Sequence, residues 1–502
     1  AGIGGLAAAV RLAAAGYEVT VLEAQGAPGG KMREVRAGGG DRTIDCGPTV
    51  LTMDWVFEAL FAAGGARLRE RVGLEPASLL ARHAWPDGAR LDLHADRARS
   101  ADEIGRMAGA AEARGFVEFS ERAAAIWRTL RPSFVCATRP SVAELVRRAG
   151  VRDLMGISPF TTLARALRQH FRDPRLQQMF GRYATYCGSS PFQAPATLML
   201  VAHVESEGVW LVRGGMQRLA EALAALAGEL GVTLRCGAGV REVVVRDGRA
   251  RGVVLADGEV VEADAVVCNA DTNALASGRF GALGGVVAPT TPSQRSLSAL
   301  TWALEARASG FPLLRHTVFF SADERAEFES LRHGLPGAPT VYVCAQDRGD
   351  EALVGEGPER LLCLVNAPAR GDSAPPMEKE IARCRETTFS HLRRCGLELE
   401  PSTIPGVAEG TETGPAQFER LFPATGGALY GPSSHGWAAS FRRPGARSRV
   451  AGLYLAGGST HPGPGVPMAA LSGQLAASAV MEDLASTARS GRTGMSGGTS
   501  TR

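Results

Sequence analysis

The sequence has 502 residues, more than one ordinary domain contains, and 45% of them are hydrophobic, which is enough to bury a large core. Its 55 basic and 52 acidic residues leave a net charge of +3 and no lysine-rich run, a composition that argues against nucleic acid as a partner. The nine cysteines are widely spaced and never form a CxxC pair, so neither a disulfide framework nor a zinc site is predicted, and we expect no metal.

The chain opens on a glycine turn that leads into an apolar helix. Gly2, Gly4 and Gly5 precede a helix that the pattern predicts from about Leu6 to Ala15. Glycines at this spacing let backbone N–H groups and the helix N-terminus approach a pyrophosphate. The first strand and first glycine of such a fingerprint would lie before Ala1, so we expect the sequence to be a fragment at this end.

A buried parallel strand is predicted next, from Val19 to Glu23. Its last residue is an acid about 20 residues beyond the glycines, where a carboxylate can bind ribose hydroxyls. A second glycine turn, which contains Gly30 and Lys31, follows. Together these features predict a dinucleotide-binding βαβ unit, and the alternative is a glycine-rich helix start in some other α/β protein.

The region up to about residue 204 is predicted to be mostly helical. Before it, Asp45 and Gly47 form a D-x-G pattern that often follows the second glycine turn of flavoproteins. A β-hairpin is predicted from His83 to His94 around Pro86-Asp87-Gly88. We interpret this helical region as part of a substrate lobe.

The pattern returns to strand, helix and strand at about residue 207. A long amphipathic helix is predicted over 214–227, two strands and a hairpin ribbon follow, and a buried strand returns to the sheet within 261–271. From 272 to 414 four strand-like stretches predict a second sheet covered by helices.

The last ordered element is predicted to be a strand, a tight loop and a helix over Met468 to Leu484, with Pro467 at the first helical position. Backbone donors in the loop and the positive helix end would stabilise negative charge on a flavin that accepts a hydride. The glycine patterns at both ends of the chain together favour a flavin over NAD. Beyond Ala485 the Ser, Gly and Thr-rich tail is predicted to be disordered.

The predicted fold class is therefore α/β, with a discontinuous Rossmann-like dinucleotide-binding domain and a second α+β substrate domain. The first domain is assigned residues 1–70, 205–271 and 415–484. The substrate domain is assigned 71–204 and 272–414, and 485–502 form the disordered tail.

Several stretches resemble one known family. The opening AGIGGLAAAVRLAAAGYEVTVLE is similar to the FAD fingerprint of the amine oxidase and phytoene desaturase superfamily. Three further stretches resemble the carotenoid branch of this superfamily: LYLAGGSTHPGPGVPMAALSG, CGPTVLTM and HFRDPRLQQMFGRYATYCGSSPFQAPA. Together with LARHAWPDGARLDL, these are most similar to the 1-hydroxycarotenoid 3,4-desaturases, also called methoxyneurosporene dehydrogenases, of phototrophic bacteria.

The resemblance implies an FAD enzyme that removes two hydrogens from adjacent carbons of an acyclic carotenoid, with a quinone or oxygen as electron acceptor. No second nucleotide fingerprint is present, which agrees with turnover without bound NAD(P). The predicted cofactor-binding residues are Gly2, Gly4, Gly5, Glu23, Gly30, Lys31, Val240, Gly457, Gly458, Gly465, Val466 and Met468.

No catalytic residue is assigned, because a cation delocalised along a polyene needs little help from an acid or base. The polar residues worth testing in the middle motif are Asp173, Arg175, Arg182 and Tyr183, and the first two are expected to form a helix cap and a salt bridge. A structural hydrogen bond is expected for His461, and a surface or sheet position for His316.

A carotenoid has to be taken from a bilayer, and no stretch approaches 18 uninterrupted apolar residues, so peripheral attachment to the cytoplasmic side of a membrane is expected. The segment from Leu154 to Phe171 combines apolar and basic residues and could lie in the interface, where charges at Phe160 and Leu163 would weaken liposome binding. The alternative is a buried helix with a solvated basic face.

Two other functions stay open. The first is a phytoene-type desaturase, or a carotenoid isomerase or oxygenase on the same scaffold. The second is a polyene-binding protein without turnover, which could be purified without flavin.

Overall fold

The computed structural model describes residues 1–36, 42–349, 357–401 and 411–494. In chain order, the helices α1 to α17 are Ile3–Ala14, Asp54–Ala63, Leu68–Arg71, Arg97–Ala108, Ala110–Leu130, Val142–Ala149, Val151–Gly156, Leu163–His170, Pro174–Gly181, Leu200–Glu207, Gln217–Glu229, Thr272–Ala276, Glu324–Ser330, Glu378–Arg394, Pro415–Leu421, Ala439–Arg442 and Val466–Gly494. Short 3₁₀ turns span Arg182–Cys187, Ala196–Met199 and Pro292–Gln294, and a π turn spans Arg131–Val135.

The strands β1 to β20 are Thr20–Glu23, Glu34–Arg36, Thr43–Asp45, Leu51–Thr52, Leu74–Pro76, Leu79–Ala84, Arg90–His94, Val209–Val212, Thr233–Cys236, Val240–Arg246, Arg249–Leu255, Val260–Glu262, Val266–Cys268, Ser298–Ser309, His316–Phe319, Val341–Ala345, Glu359–Ala367, Glu398–Pro401, Glu412–Thr413 and Leu453–Leu455. They form the sheets described next.

Two parallel strand pairs flank α1. One joins β1 to β9 and the other joins β13 to β20. Helix α1 also packs on α17, and the small residues of both helices make a close approach possible. A Cβ on Gly473 of α17 would lie only 2.0 Å from the carbonyl oxygen of Gly4, so glycine is required at that crossing.

The large sheet has eight strands in the order β18-β14-β17-β16-β15-β6-β7, with β19 paired to β14. Its pairs are antiparallel except for β15 with β6, where Thr317 stands opposite Arg82. One face is covered by α14, whose Phe389 ring lies 5.5 Å from that of Trp302. A helical core that contains Phe119 and the neighbouring Phe180 packs against the β6–β7–β15 end of the sheet.

A third sheet crosses between the two assigned domains. Its central strand β8 pairs with β4 on one edge and with β5 on the other. Near it, the buried Asp45 carboxylate accepts the backbone N–H of Met216 at 2.8 Å and so caps α11. Gly215 has φ +98° and leaves no room for a Cβ beside that carboxylate.

Most of the predicted elements are confirmed with shifted ends. The glycine-turn helix begins at Ile3 rather than Leu6, and the long helix begins at Gln217 rather than 214. Gly214 and Gly215 both have positive φ, which is why that helix cannot start earlier. The hairpin is formed by β6 and β7, with Gly88 in its turn.

Two predictions need correction. Helix α17 starts at Val466 and continues to Gly494, so disorder is wrong for 485–494, and 495–502 lie outside the described residues. The helix is already formed at Leu484 and no proline interrupts the next turns, so each further residue adds one hydrogen bond. In the supposed interface segment, Phe160 is 67% exposed but Leu163 is fully buried, so a charge at Leu163 would disrupt the core instead.

Candidate functional site

A cavity of about 1440 Å³ lies between the parallel strand pairs and the large sheet. All of the predicted cofactor-binding residues line it, from Gly2 in the glycine turn to Met468 in α17, and Val240 at the start of β10 is among them. Separate segments of the chain thus meet around one space. Their contact with a cofactor stays a prediction.

The glycine turn forms a cradle at the N-terminus of α1. A Cβ on Gly4 would lie 2.8 Å from the Gly457 backbone nitrogen, and one on Gly30 would lie 3.1 Å from the Gly2 Cα. No side chain of the described residues caps this helix, so its first N–H groups stay available. Free N–H donors at a positive helix end fit a pyrophosphate.

Asn269 was missed by sequence reasoning. It follows β13 directly and lies beside both glycine loops: its Oδ1 would be 2.5 Å from a Cβ on Gly4 and 3.0 Å from one on Gly457. This buried Oδ1 has no hydrogen-bond partner among the described residues, which fits a group that a bound dinucleotide would satisfy. A polar residue at the carboxyl end of a buried parallel strand was the signal that could have found it.

Glu23 ends β1 with its carboxylate turned to the glycine loop. Its oxygens accept from the Gln25 backbone N–H at 2.9 Å and from the Ala1 amino group at 2.6 Å. The side chain is largely buried at the edge of the cavity. The contact of Glu23 with a ribose stays a prediction.

The second helix end in the cavity is that of α17. Gly465, with φ +118°, turns the chain into the helix. Ser472, in the second turn of α17, accepts the Gly457 N–H at 2.7 Å and fixes the preceding loop. Two helix N-termini therefore face the same cavity, one at each predicted end of a dinucleotide.

Two cations, the half-buried Lys31 and the buried Arg443, lie near the loop that precedes α17. Lys31 donates to the Leu429 carbonyl at 2.5 Å, and Arg443 donates to the carbonyls of Tyr430 and Gly458. Burial lowers the pKa of Lys31 and lowers that of Arg443 to about 10, while the charge of Asp271 opposes both shifts. Cations held by carbonyls make this part of the cavity positive, which suits an anionic reduced flavin.

A polar cluster lines the cavity on the side of the large sheet. The His316 Nδ1 lies 2.8 Å from the Tyr342 hydroxyl, which lies 2.7 Å from Thr49 Oγ1. Burial lowers the pKa of His316 to about 3, so the ring is neutral. Arg182 donates to the Tyr186 hydroxyl at 3.2 Å.

The remaining polar candidates are structural. Asp173 accepts the Arg175 N–H at 2.8 Å as the cap of α9 and pairs with its guanidinium, as predicted. The His461 Nε2 lies 2.9 Å from the Ala137 carbonyl oxygen, which confirms its structural role. His316 occupies a sheet position, and Tyr183 donates to Glu205.

The rest of the wall is mainly apolar. The side chains that form it next to the polar cluster include Leu80, Leu130, Phe134, Leu198, Leu200, Val201, Val204, Phe320, Leu362 and Leu364. One end of the cavity therefore fits a dinucleotide, and the other fits a long hydrocarbon chain. Such an arrangement can hold an apolar substrate against a redox cofactor away from water.

Comparisons with known sequences agree with this chemistry. The profile of a family described as flavin containing amine oxidoreductase matches residues 3–481. The hydroxyneurosporene desaturase of Rubrivivax gelatinosus is 52% identical over 100% of this chain and 96% of its own length. That of Cereibacter sphaeroides is 46% identical over 97% of this chain and 98% of its own, and a 4,4'-diapolycopene oxygenase of Methylomonas is 30% identical over 96% and 97%.

Solved structures share the fold at low identity. An oxidoreductase from Methanosarcina mazei matches with a TM-score of 0.59 and 16% identity over 96% of this chain and 98% of its own. Cyclohexylamine oxidase from Brevibacterium oxydans matches with a TM-score of 0.54 and 17% identity over the same shares. These likenesses concern the fold alone.

Proposed function

Because the chain belongs to the family of flavin-containing amine oxidoreductases, we propose that it is an FAD-dependent carotenoid desaturase of carotenoid biosynthesis. The bond we assign is C-3,4 of a 1-hydroxy or 1-methoxy acyclic carotenoid such as hydroxyneurosporene. The single observation that carries this is the cavity that continues from the glycine cradle into an apolar wall. Full-length similarity to hydroxyneurosporene desaturases supports the substrate class.

The residues that would hold FAD are the predicted cofactor-binding set together with Asn269. When bound, FAD supplies the acceptor for one hydride, and a second hydrogen leaves the substrate as a proton. The N-terminus of α17, Lys31 and Arg443 place positive charge where the cofactor gains an electron pair. The apolar wall excludes water and aligns the polyene, and this alignment contributes most of the catalysis.

A purified-protein assay tests the proposal. The chain is incubated with 1-hydroxyneurosporene and, separately, with phytoene, and the pigments are separated by chromatography with absorption detection. We expect a product from the hydroxylated substrate whose chromophore is longer by one double bond. Consumption of phytoene alone would reassign the chain to the phytoene desaturases, and a colourless protein without flavin would favour a carrier.

The electron acceptor we propose is a quinone or oxygen. Turnover under anaerobic conditions with and without an added quinone separates the two. If turnover stops without oxygen and resumes when a quinone is added, the quinone is a competent electron acceptor.

We also propose peripheral attachment to the cytoplasmic face of a membrane. No helix in the described part of the chain is long and apolar enough to cross a bilayer. Large apolar side chains are exposed on and around α6 and α7, namely Val142, Val146, Val151, Met155, Phe160 and Trp437. We call these six residues the apolar patch, and Arg147, Arg148 and Arg152 stand exposed among them.

The apolar patch adjoins the cavity wall. Leu154 of α7 packs on the same core clusters as Leu130, which lines the cavity. Apolar side chains with interspersed arginines suit an anionic lipid surface. A carotenoid would thus have a short apolar path from lipid to cavity.

Liposome flotation tests the attachment. The double variant Met155→Asp/Phe160→Asp is expected to lose at least about tenfold in partitioning to anionic vesicles while keeping its flavin content. Val260→Asp is the matched control, because Val260 is 52% exposed on β12, away from the apolar patch. Equal partitioning of both variants and the wild type would refute this surface.

A further inference from the structure

Arg182 is a cation in the cavity wall with most of its donors unused. It opens the 3₁₀ turn Arg182–Cys187 after α9, and its guanidinium carbon lies 5.1 Å and 5.5 Å from the ring centres of Tyr186 and Tyr342. Its one hydrogen bond among the described residues goes to the Tyr186 hydroxyl, and no carboxylate within them lies at ion-pair distance. A guanidinium has five N–H donors, so four still lack a protein acceptor.

The negative charge of Glu205 acts on both Arg182 and Tyr186. The Glu205 carboxylate accepts a hydrogen bond from the Tyr183 hydroxyl at 2.7 Å. The hydrogen bond to Tyr186 and the negative charge of Glu205 hold the Arg182 side chain in place. Arg182 lines the cavity, as do the apolar Leu198 and Val201.

A cation with unused donors in a largely apolar part of the wall selects its ligand by chemistry. A hydrocarbon end group would leave the donors of Arg182 desolvated and unpaired, which costs free energy. A hydroxyl or ether oxygen would accept from them. Because arginine donates and never accepts, it suits a free hydroxyl and a methyl ether equally.

The position of Arg182 along the cavity matches the position of such an oxygen. Tyr342, under the guanidinium, is hydrogen-bonded to Thr49, two residues after Gly47, whose backbone packs on that of Lys31. Cys187, next to Tyr186, interacts electrostatically with Arg443, which donates a hydrogen bond to Gly458 in the loop before α17. The cluster therefore lies at the cofactor end of the apolar wall. An oxygen on C1 is only two carbons from the C-3,4 bond, so it too must lie near the cofactor.

We propose that Arg182 binds the oxygen on C1 of the carotenoid and makes the protein select oxygenated over hydrocarbon end groups, with Tyr186 and Glu205 as positioning residues. This inference rests on the proposed function and adds the group that sets its substrate preference. It assigns a role to a residue that touches substrate without taking part in proton or hydride transfer.

The test compares kcat/KM for 1-hydroxyneurosporene with that for neurosporene, which lacks the hydroxyl. In Arg182→Met we expect kcat/KM on the hydroxylated substrate to fall about 10- to 100-fold, while kcat/KM on the hydrocarbon stays the same or rises because the unpaired donors are gone. Arg182→Lys keeps a donor and should recover part of the preference. Tyr186→Phe keeps the ring, loses the anchoring hydroxyl and should lose preference to a smaller extent.

Arg325→Met is the matched control. Arg325 also lies over an aromatic ring, 4.3 Å from the centre of Phe192, but is exposed and does not line the cavity. Its variant should keep the wild-type ratio of the two kcat/KM values. Flavin content of every variant is measured alongside, so that loss of cofactor is separated from loss of preference.

Two results would overturn the inference. The first is an equal fall for both substrates in Arg182→Met with flavin intact, which would make the arginine structural. The second is an Arg182→Met protein whose kcat/KM values on both substrates equal those of the wild type. A wild-type protein that fails to desaturate 1-hydroxyneurosporene would instead refute the proposed function, a failure visible before any variant is made.

Discussion

Replacement of Gly4 by alanine tests whether the two helix ends form one cofactor site. A Cβ at Gly4 would lie 2.8 Å from the Gly457 backbone nitrogen and 3.0 Å from the Ala469 carbonyl oxygen. Neither atom belongs to a flexible side chain, so α1 and the α17 loop must separate by roughly half an ångström to restore ordinary contact. Overpacking of this kind costs about 1 to 3 kcal/mol.

The strain falls on the two segments that would contact opposite ends of FAD, so we expect it to appear in cofactor affinity. A cost of about 1 to 3 kcal/mol corresponds to a roughly 5- to 150-fold larger Kd, measured by quenching of flavin fluorescence as apoprotein is titrated. Gly228→Ala is the control, because Gly228 lies inside α11 with open space around it and alanine favours helix there. If the Gly4→Ala protein had the wild-type Kd for FAD and the wild-type Tm, the close approach of α1 and the loop before α17 would not be needed for cofactor binding.

Three further predictions follow from buried polar groups. Glu23→Ala should weaken FAD binding by about 1 to 3 kcal/mol if the carboxylate holds the ribose, and an unchanged Kd in the same titration excludes that role. Burial raises the pKa of Asp45 to about 6, so the stability that its protonated form contributes is present below about pH 4 and is lost as pH rises to about 6. Asp45→Asn should therefore flatten urea-unfolding free energy against pH in that window, and a profile parallel to the wild type would contradict this. Arg443→Met leaves buried carbonyls unpaired, so its Tm should fall by several degrees, whereas a wild-type Tm would mean that those carbonyls find other donors.

The helices and strands of the predicted cofactor-binding half could be predicted from the sequence because their signals are local. A glycine turn, an apolar helix and a strand that ends in Glu23 have a fixed geometry within one βαβ unit, and the loop before α17 is equally short-range. All of the predicted residues line the cavity because these local units meet at the ends of their strands.

Groups that depend on distant contacts could not be predicted. Asn269 matters because β13 brings it against Gly4 and Gly457, which are far away in sequence. The contact between Tyr183, next to Arg182, and Glu205 of α10 joins two segments whose proximity no periodicity indicates. Helix α11 begins at Gln217 because the two preceding glycines have positive φ. Glycine can adopt a positive φ but does not have to, so the sequence alone does not show where this helix starts.

The strand β8 has a consequence for how the chain comes apart. It is hydrogen-bonded to β4, which is assigned to one domain, and to β5, which is assigned to the other. If the chain were divided at the boundary near residue 204, β8 would be separated from both of these strands. The two domains therefore differ in chemical role but should unfold together as one cooperative unit. Calorimetry of the intact chain should give a single transition, and fragments expressed separately should regain structure only when mixed.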